Sequence, residues 1–357
     1  MIILSIETSC DDTGIALLEI KGSEKNPTFK ILAEGISSQI KIHAEYGGVF
    51  PALAKREHIK NLPILLEKIL KKSKLKNKNN YGIDMIAVTY GPGLEPALWT
   101  GIVFAKELSQ KWNIPLVPVN HMEGHILSVF AENSGTFKMP KINFPILSLL
   151  VSGGHTELVL AKDWMKYKVI GETVDDAAGE AFDKVARMLG LPYPGGPEIS
   201  RLASEARKNK ISLETSFPRP MIYAKNFDFS FSGLKTAVLY YTQKIGMLDE
   251  NKKIEVAREF EDAVVDVLTH KTLKAIKEYK VKTLIVAGGV SANKQLKKVL
   301  TKKIKDEKLG TTILFPGKKL STDNAVMIAL VGYFRRSKAK KTGFDKIKAV
   351  GGLEIGK

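Results

Sequence analysis

Cysteine is nearly missing from this sequence: Cys10 is the single one among 357 residues. No intrachain disulfide can form, and the composition fits a reducing, cytoplasmic setting. Long apolar runs are missing too. No stretch reaches the roughly 18 residues a membrane span requires, so no membrane association is predicted. The opening "MIILSIETSCDDTG" has a short apolar run with no basic stretch before it, and reads as a first strand, not a secretory signal. Acidic residues are the minority, 38 against 55 lysines and arginines, for a net charge of +17. The basic excess gathers in "KKSKLKNKNN", "KKVLTKKIKDEK" and "RRSKAKKTGFDKIK". Such runs suit either nucleic acid, through counterion release, or plain solvated helix faces.

Two further absences narrow the chemistry. The Gly-rich turn "VAGGVSAN" follows a strand and opens a helix, yet lacks the spacing of a dinucleotide fold. The turn "LLVSGGHTELV" has no aspartate at its head to hold a metal or orient a nucleophile, which weakens a sugar-kinase reading.

What is present is an order of elements that occurs twice. "IILSIET", "GIALLEI" and "FKILAEGISS" read as three strands, followed by a long helix from Pro51, strand "DMIAVTY", helix "EPALWTGIVFAKELSQKW" and strand "LVPVN". The order returns with "FPILSLLVSGGHTELVLA", "YKVIGETV", a helix at "AAGEAFDKVARMLG", a long helix ending at "KEY", strand "KTLIVAGGV", a lysine-rich helix, strand "TTILFPG" and helix "DNAVMIALVGYFRR". An order repeated once points to a duplicated α/β fold of two lobes. We expect residues 1–119 plus about 325–357 in one lobe and 120–324 in the other. The second lobe then carries a Gly/Pro/aromatic insertion at about 191–232, which reads as an ordered functional loop.

The turns "ETSCDDTG" and "SGGHTE" hold equivalent places in the two halves. Small residues let backbone N–H groups approach a phosphate closely. The other reading of each is an ordinary tight hairpin.

"HMEGH", 121–125, sets two histidines four apart, on one face of a helix that Asn120 can cap. That spacing suits two imidazoles on one metal. In a zinc-protease motif the glutamate directly follows the first histidine. Glu123 stands two residues on, about 200° round the helix, and points away from the histidine face. A protease is left without its general base. Asp323 in "LSTDNAVMIAL" is the best third ligand by position, its other reading being a helix N-cap.

Taken together, "IETSCDDTG", "YGGVFPALAKREH", "GPGL", "HMEGH", "LLVSGGHTEL", "DDAAGEAFDKVARMLGLPYPGGP", "FSFSGLKTA", "AGGVSAN" and "TDNA" resemble the bacterial branch of one family, the tRNA N6-adenosine threonylcarbamoyltransferases (TsaD), over nearly the whole chain. The family was once described as an O-sialoglycoprotein endopeptidase. The resemblance implies a duplicated actin-like, Hsp70-like, sugar-kinase-like ATPase fold with two lobes around a nucleotide and metal cleft. It implies His121, His125 and Asp323 as ligands of one divalent metal per subunit, iron or zinc. Leu150, Val151, Ser152, Gly153, Gly154, Asp183, Gly196 and Asn293 match the positions that hold the adenylate substrate. The implied reaction moves a threonylcarbamoyl group from threonylcarbamoyl-AMP to N6 of the adenosine 3′ of the anticodon (t6A), in tRNAs reading codons that begin with adenine, and releases AMP. Implied partners are the tRNA anticodon arm, an inactive paralogue (TsaB-like), a small P-loop ATPase (TsaE-like) and an upstream threonylcarbamoyl-AMP synthase. The alternatives are a small-molecule carbamoyltransferase of the same fold and a non-catalytic, nucleotide-regulated scaffold. The chain departs from the family at Asp12, Ala52, Lys55, Pro96, Ser200 and Ser321, and no departure removes an expected metal ligand.

Overall fold

The structure, a computed structural model, describes every residue except 24, 25, 77, 78, 133, 134, 213 and 357. The chain divides into two compact units, the first made of 1–141 with 316–355 and the second of 142–315 with 356.

The first unit opens with β1 (Ile2–Glu7), β2 (Asp12–Ser23) and β3 (Asn26–Ser38), an antiparallel meander. Then come α1 (Ile40–Ala44), α2 (Pro51–Ser73), β4 (Met85–Gly91), α3 (Glu95–Trp112), β5 (Leu116–Asn120), α4 (His121–Ser128) and β6 (Thr136–Lys138). The second unit repeats the pattern with β7 (Ile146–Val151), β8 (Thr156–Asp163) and β9 (Lys166–Glu172). It continues through α5 (Ala178–Met188), α6 (Gly195–Lys208), α7 (Ser232–Ile245), α8 (Glu250–Tyr279), β10 (Thr283–Ala287), α9 (Lys294–Asp306) and β11 (Thr312–Leu314). The chain then returns to the first unit with α10 (Ala325–Phe334).

The first sheet runs β5-β4-β1-β2-β3-β6 and the second β11-β10-β7-β8-β9. Setting β6 aside, the two orders are the same, with β1 answering to β7 and β4 to β10. In each, the first strand pairs antiparallel with the second and parallel with the fourth. The central strands owe their place to composition. β7, "ILSLLV", is buried along its whole length, and β1 is buried after Ile2; near-continuous apolar runs suit strands covered on both faces. α10, "AVMIALVGYF", is apolar all round and buried from Ala325 to Tyr333, as a helix inside a core must be.

The expected boundaries at 119/120 and 324/325 differ from the observed division at 141/142 and 315/316. The physical reason is α4. All eight of its residues are buried, and it packs on α10 so closely that a Cβ on Gly124 would lie 3.0 Å from Met327 Cγ and 3.2 Å from Ile328 Cδ1. α4 and the turn before α10 therefore belong with the first sheet. Four elements escaped the sequence reading: α1, β6, α6 and α7. α6 opens on "GGP", residues that read as a breaker, yet proline is tolerated in a helix's first turn. No helix among the described residues is long and apolar enough to cross a membrane.

The same close packing recurs where α10 meets β4. A Cβ on Gly332 would stand 2.6 Å from Ala87 Cβ. Gly332→Ala is expected to cost about 1–3 kcal/mol of stability through overpacking, read from the midpoint of chemical denaturation.

Candidate metal centre

β5 ends at Asn120, whose Oδ1 accepts hydrogen bonds from the N–H groups of Met122 (2.9 Å) and Glu123 (3.3 Å). This cap starts α4 abruptly and fixes both histidines one turn apart. Their rings lie edge to face, centroids 4.6 Å apart. Asp323 arrives from the turn before α10. The capping task there falls to its neighbour Asn324, whose Oδ1 accepts from Met327 N–H at 3.0 Å. Asp323 is left free to face the histidines: its Oδ1 is 3.4 Å from His121 Nε2 and 3.2 Å from His125 Nε2. One ligand atom from each of the three lies within 4.8 Å of the others.

Glu7, at the end of β1, completes the cluster. Its Oε1 accepts from Ser9 N–H at 2.6 Å, and its Oε2 from Thr89 Oγ1 at 2.5 Å. His121 Nδ1 sits 3.2 Å from the same Oε2. Glu7 thus fixes the tautomer and the ring plane of His121, leaving Nε2 for the shared centre. Glu7 stands in "IETSCDDTG" without any local sign of this role, since nothing in the spacing shows that β1 ends against α4.

The charges respond to one another. Burial works to lower His121, but the carboxylates of Glu7 and Asp323 outweigh it and lift the imidazole to about 10. Burial likewise works to raise Glu7 and Asp323, and the histidines reverse it: Glu7 is held below the usual range and Asp323 well below. The turn between β1 and β2 carries unrelieved negative charge. Burial, reinforced by the neighbouring carboxylates of Asp11, Asp323 and Glu7, raises Asp12 to about 7, and Asp11 is raised by burial and by Asp323. A bound cation would relieve this.

The residues fit a divalent ion. Two imidazoles and one carboxylate are a nitrogen and oxygen donor set suited to iron or zinc. His125 is 1% exposed, and neither ring nitrogen has a hydrogen bond of good geometry among the described residues. Thr8 Oγ1, Ser9 Oγ and Asp12 Oδ1 in the adjoining turn are also buried and without partners there.

That turn is braced from behind. His58 Nε2 donates to the Cys10 carbonyl (2.9 Å), and its Nδ1 lies 2.7 Å from Thr13 Oγ1 and 3.4 Å from Gln39 Nε2, a group that only donates, which suits a neutral ring with Nδ1 accepting. Burial lowers its pKa accordingly. Glu123 is 4% exposed, and its two oxygens take Arg335 Nε at 3.1 Å and a terminal nitrogen at 2.5 Å. Its carboxylate is engaged as the partner of an arginine at the end of α10.

In the second unit the turn between β7 and β8 is a tight hairpin. Ser152 N–H donates to the His155 carbonyl (2.8 Å), and His155 N–H to Ser152 Oγ (3.1 Å). Gly153 and Gly154 face open space, with nothing within 4 Å of an added Cβ on either. Leu150 and Val151 are buried in β7. Gly179, at the start of α5, donates to the Ser152 carbonyl, and its Cβ would fall 2.5 Å from that oxygen. Asp183 Oδ1 accepts from Gly195 N–H at 2.7 Å, which ties α5 to the first turn of α6 beside Gly196. Asn293 caps α9 through its Oδ1 and donates through Nδ2 to Glu261 (2.7 Å) and Ser200 (3.0 Å). Its side chain is thus already engaged, as is Ser200, which donates to Glu261 at 2.6 Å.

Two sheets of one strand order make a duplicated α/β protein of the actin-like fold. Solved structures share that fold. Full-length HypF superimposes with a TM-score of 0.58 at 14% identity, over 94% of this chain and 55% of that one. The (R)-2-hydroxyglutaryl-CoA dehydratase component A of Acidaminococcus fermentans gives 0.51 at 13% identity, over 94% and 99%. The sequence comparisons are narrower. The model of the TsaD family, tRNA N6-adenosine threonylcarbamoyltransferase, matches residues 30–330. Curated proteins of that name are 46% identical in Thermosipho africanus, over 99% of this chain and 100% of the relative, and 44% identical in Chromobacterium violaceum, over 98% and 97%. The chain belongs to the TsaD family and is an enzyme of the transferase class.

Two outcomes follow from the cluster. Glu7→Gln removes the negative charge beside His121 and leaves one accepting oxygen where Ser9, Thr89 and His121 now share two, and is expected to weaken zinc or iron affinity about 10- to 100-fold, measured by competition with a calibrated chelator. In metal-free protein, His121 titrates near 10 when folded and about 6.5 when unfolded. Its stabilisation is full below about 6.5 and is lost as pH rises towards 10. With chelator present, the melting temperature is expected to fall more steeply with pH across that window in the native chain than in His121→Gln.

Proposed function

We propose that the chain transfers the threonylcarbamoyl group of threonylcarbamoyl-AMP to N6 of the adenosine 3′ of the anticodon (t6A), in tRNAs reading codons that begin with adenine. The observation that carries this reading is the convergence of His121, His125 and Asp323 in a chain of the TsaD family. In the reaction N6 attacks the carbamoyl carbon, a C–N bond forms, the bond from that carbon to the phosphate oxygen breaks, and AMP leaves. N6 gives up one proton, which passes to the departing phosphate or to water.

His121, His125 and Asp323 hold the metal, iron or zinc, and Glu7 keeps His121 aimed at it. When bound, a divalent ion supplies a Lewis acid for phosphate and carbonyl oxygens. We assign substrate contact to Leu150, Val151, Ser152, Gly153, Gly154, Asp183, Gly196 and Asn293. The open faces of Gly153 and Gly154 support this, since a backbone without side chains lets a phosphate whose charge grows as it leaves approach closely. For Asn293 the support lies in its fixed position: the Glu261 and Ser200 bonds hold the "VSAN" turn still. The inactive paralogue, the small P-loop ATPase and the adenylate synthase complete the proposed system, in the cytoplasm.

The test is label transfer. Radiolabelled threonine is supplied with the synthase, the partner subunits and tRNA. Native chain is expected to label tRNA, while His125→Ala and Asp323→Ala lose bound metal together with at least about 100-fold of the transfer rate. Label that reaches a small molecule but never tRNA points to the carbamoyltransferase alternative. Transfer that survives loss of the metal points to the scaffold.

A further inference from the structure

The basic run "RRSKAKKTGFDKIK" is not used by the centre described above, and in the first unit it forms a strap. The strap is tied at one end to the edge strand β5, where Leu116 and Lys340 exchange backbone hydrogen bonds of 2.8 and 3.0 Å. At the other end Val350 N–H donates to the Tyr90 carbonyl at 2.9 Å. Between these ties Gly343 turns the chain with φ of 74°, Phe344 plugs into the core at 7% exposure, and Lys106 Nζ holds the Ile347 carbonyl at 3.0 Å. The strap is thus a fixed wall, and a cavity of about 420 Å³ lies against it. Its apolar lining includes Tyr90, Leu116 and Pro118; its cationic lining is Lys338, Lys340, Lys346 and Lys348. All four lysines are exposed, and none forms an ion pair among the described residues. Elsewhere in the chain many exposed lysines are paired, as Lys71 is with Glu67 and Lys166 with Asp163.

Four like charges around one concavity repel one another, and nothing in the strap offsets them except Asp345. Such a site favours an anion of more than one charge. Near neutral pH a free phosphate carries no more than about two charges, fewer than the lysines present. A run of phosphodiesters supplies single charges spaced along a chain, which suits lysines spread over two segments.

We propose that this cavity seats the sugar-phosphate backbone of the RNA on which the enzyme acts. The inference rests on the reading of tRNA as acceptor. It adds a binding surface for that RNA on the first unit and names the side chains that form it. Lysines placed in this way hold and orient RNA without reading its sequence.

The test uses the full chain, alone and with its partner subunits, and fluorescently labelled tRNA in an anisotropy titration over a range of salt. In the variant Lys338→Ala, Lys340→Ala, Lys346→Ala, Lys348→Ala, affinity is expected to fall. The slope of log K against log salt is expected to shrink by about 0.7–0.9 for each phosphate that is no longer neutralised, so about 3 for all four. A second variant with arginine at the same four positions is expected to restore both. Metal affinity and melting temperature are the folding controls and are expected to stay at native values. Native tRNA binding that the four alanines leave unchanged in strength and slope overturns the cavity alone, and the tRNA reading stands. A native chain that binds no tRNA in either form overturns both. Inorganic phosphate, at matched ionic strength, that displaces tRNA from the native chain but not from the alanine variant overturns the RNA seat in favour of a small-anion site.

Discussion

One carboxylate oxygen is shared by two imidazoles. Asp323 Oδ1 lies within 3.4 Å of both His121 and His125, and much of the first unit is arranged to keep it there. Asn324 takes the cap of α10, so Asp323 need not. Gly124 lets α4 come within side-chain contact of α10. Glu7 holds His121 from the far side, and Thr89 and Ser9 hold Glu7. Ionisable groups buried together cost free energy unless each is paired; here each one's partner is another member of the cluster, and a cation is the natural completion.

The same constraint explains the glutamate of "HMEGH". A buried carboxylate is costly unless a cation or a set of donors is paired with it. Glu123 has Arg335, with two nitrogens on two oxygens, the pairing that guanidinium geometry favours. The pair joins α4 to the end of α10, the same two helices that supply or support His121, His125 and Asp323. Removing Arg335 would leave a buried charge within the helix that carries both histidines.

How much of this was legible beforehand depended on whether the signal was local. The strands and helices with strong periodicity were readable: α3 and β5 fall at the residues their patterns marked. The spacing of His121 and His125 is a helical property, visible in five letters. Asp323 was legible only through its place in a repeated order and through family resemblance. Glu7 and Arg335 were not, because their partners lie 114 and 212 residues away and no local pattern announces a long-range pairing. The domain edges failed to follow the repeat for a related reason. The repeat marks where an order of elements begins, whereas packing decides which sheet an element joins, and Gly124 placed α4 with the first.

The division of the chain also sets an order in time. The first unit is built from two separated pieces, and all of the second unit up to residue 315 lies between them. During synthesis those residues have all emerged while the first unit still lacks α10 and Asp323. The first sheet must therefore wait with its central helix missing and β1 uncovered on that side. Domains tend to fold as units as they emerge, so the unit begun first is the last to close. His121 and His125 can meet Asp323 only after some two hundred further residues have been made, and the cluster is completed near the end of folding rather than at its start.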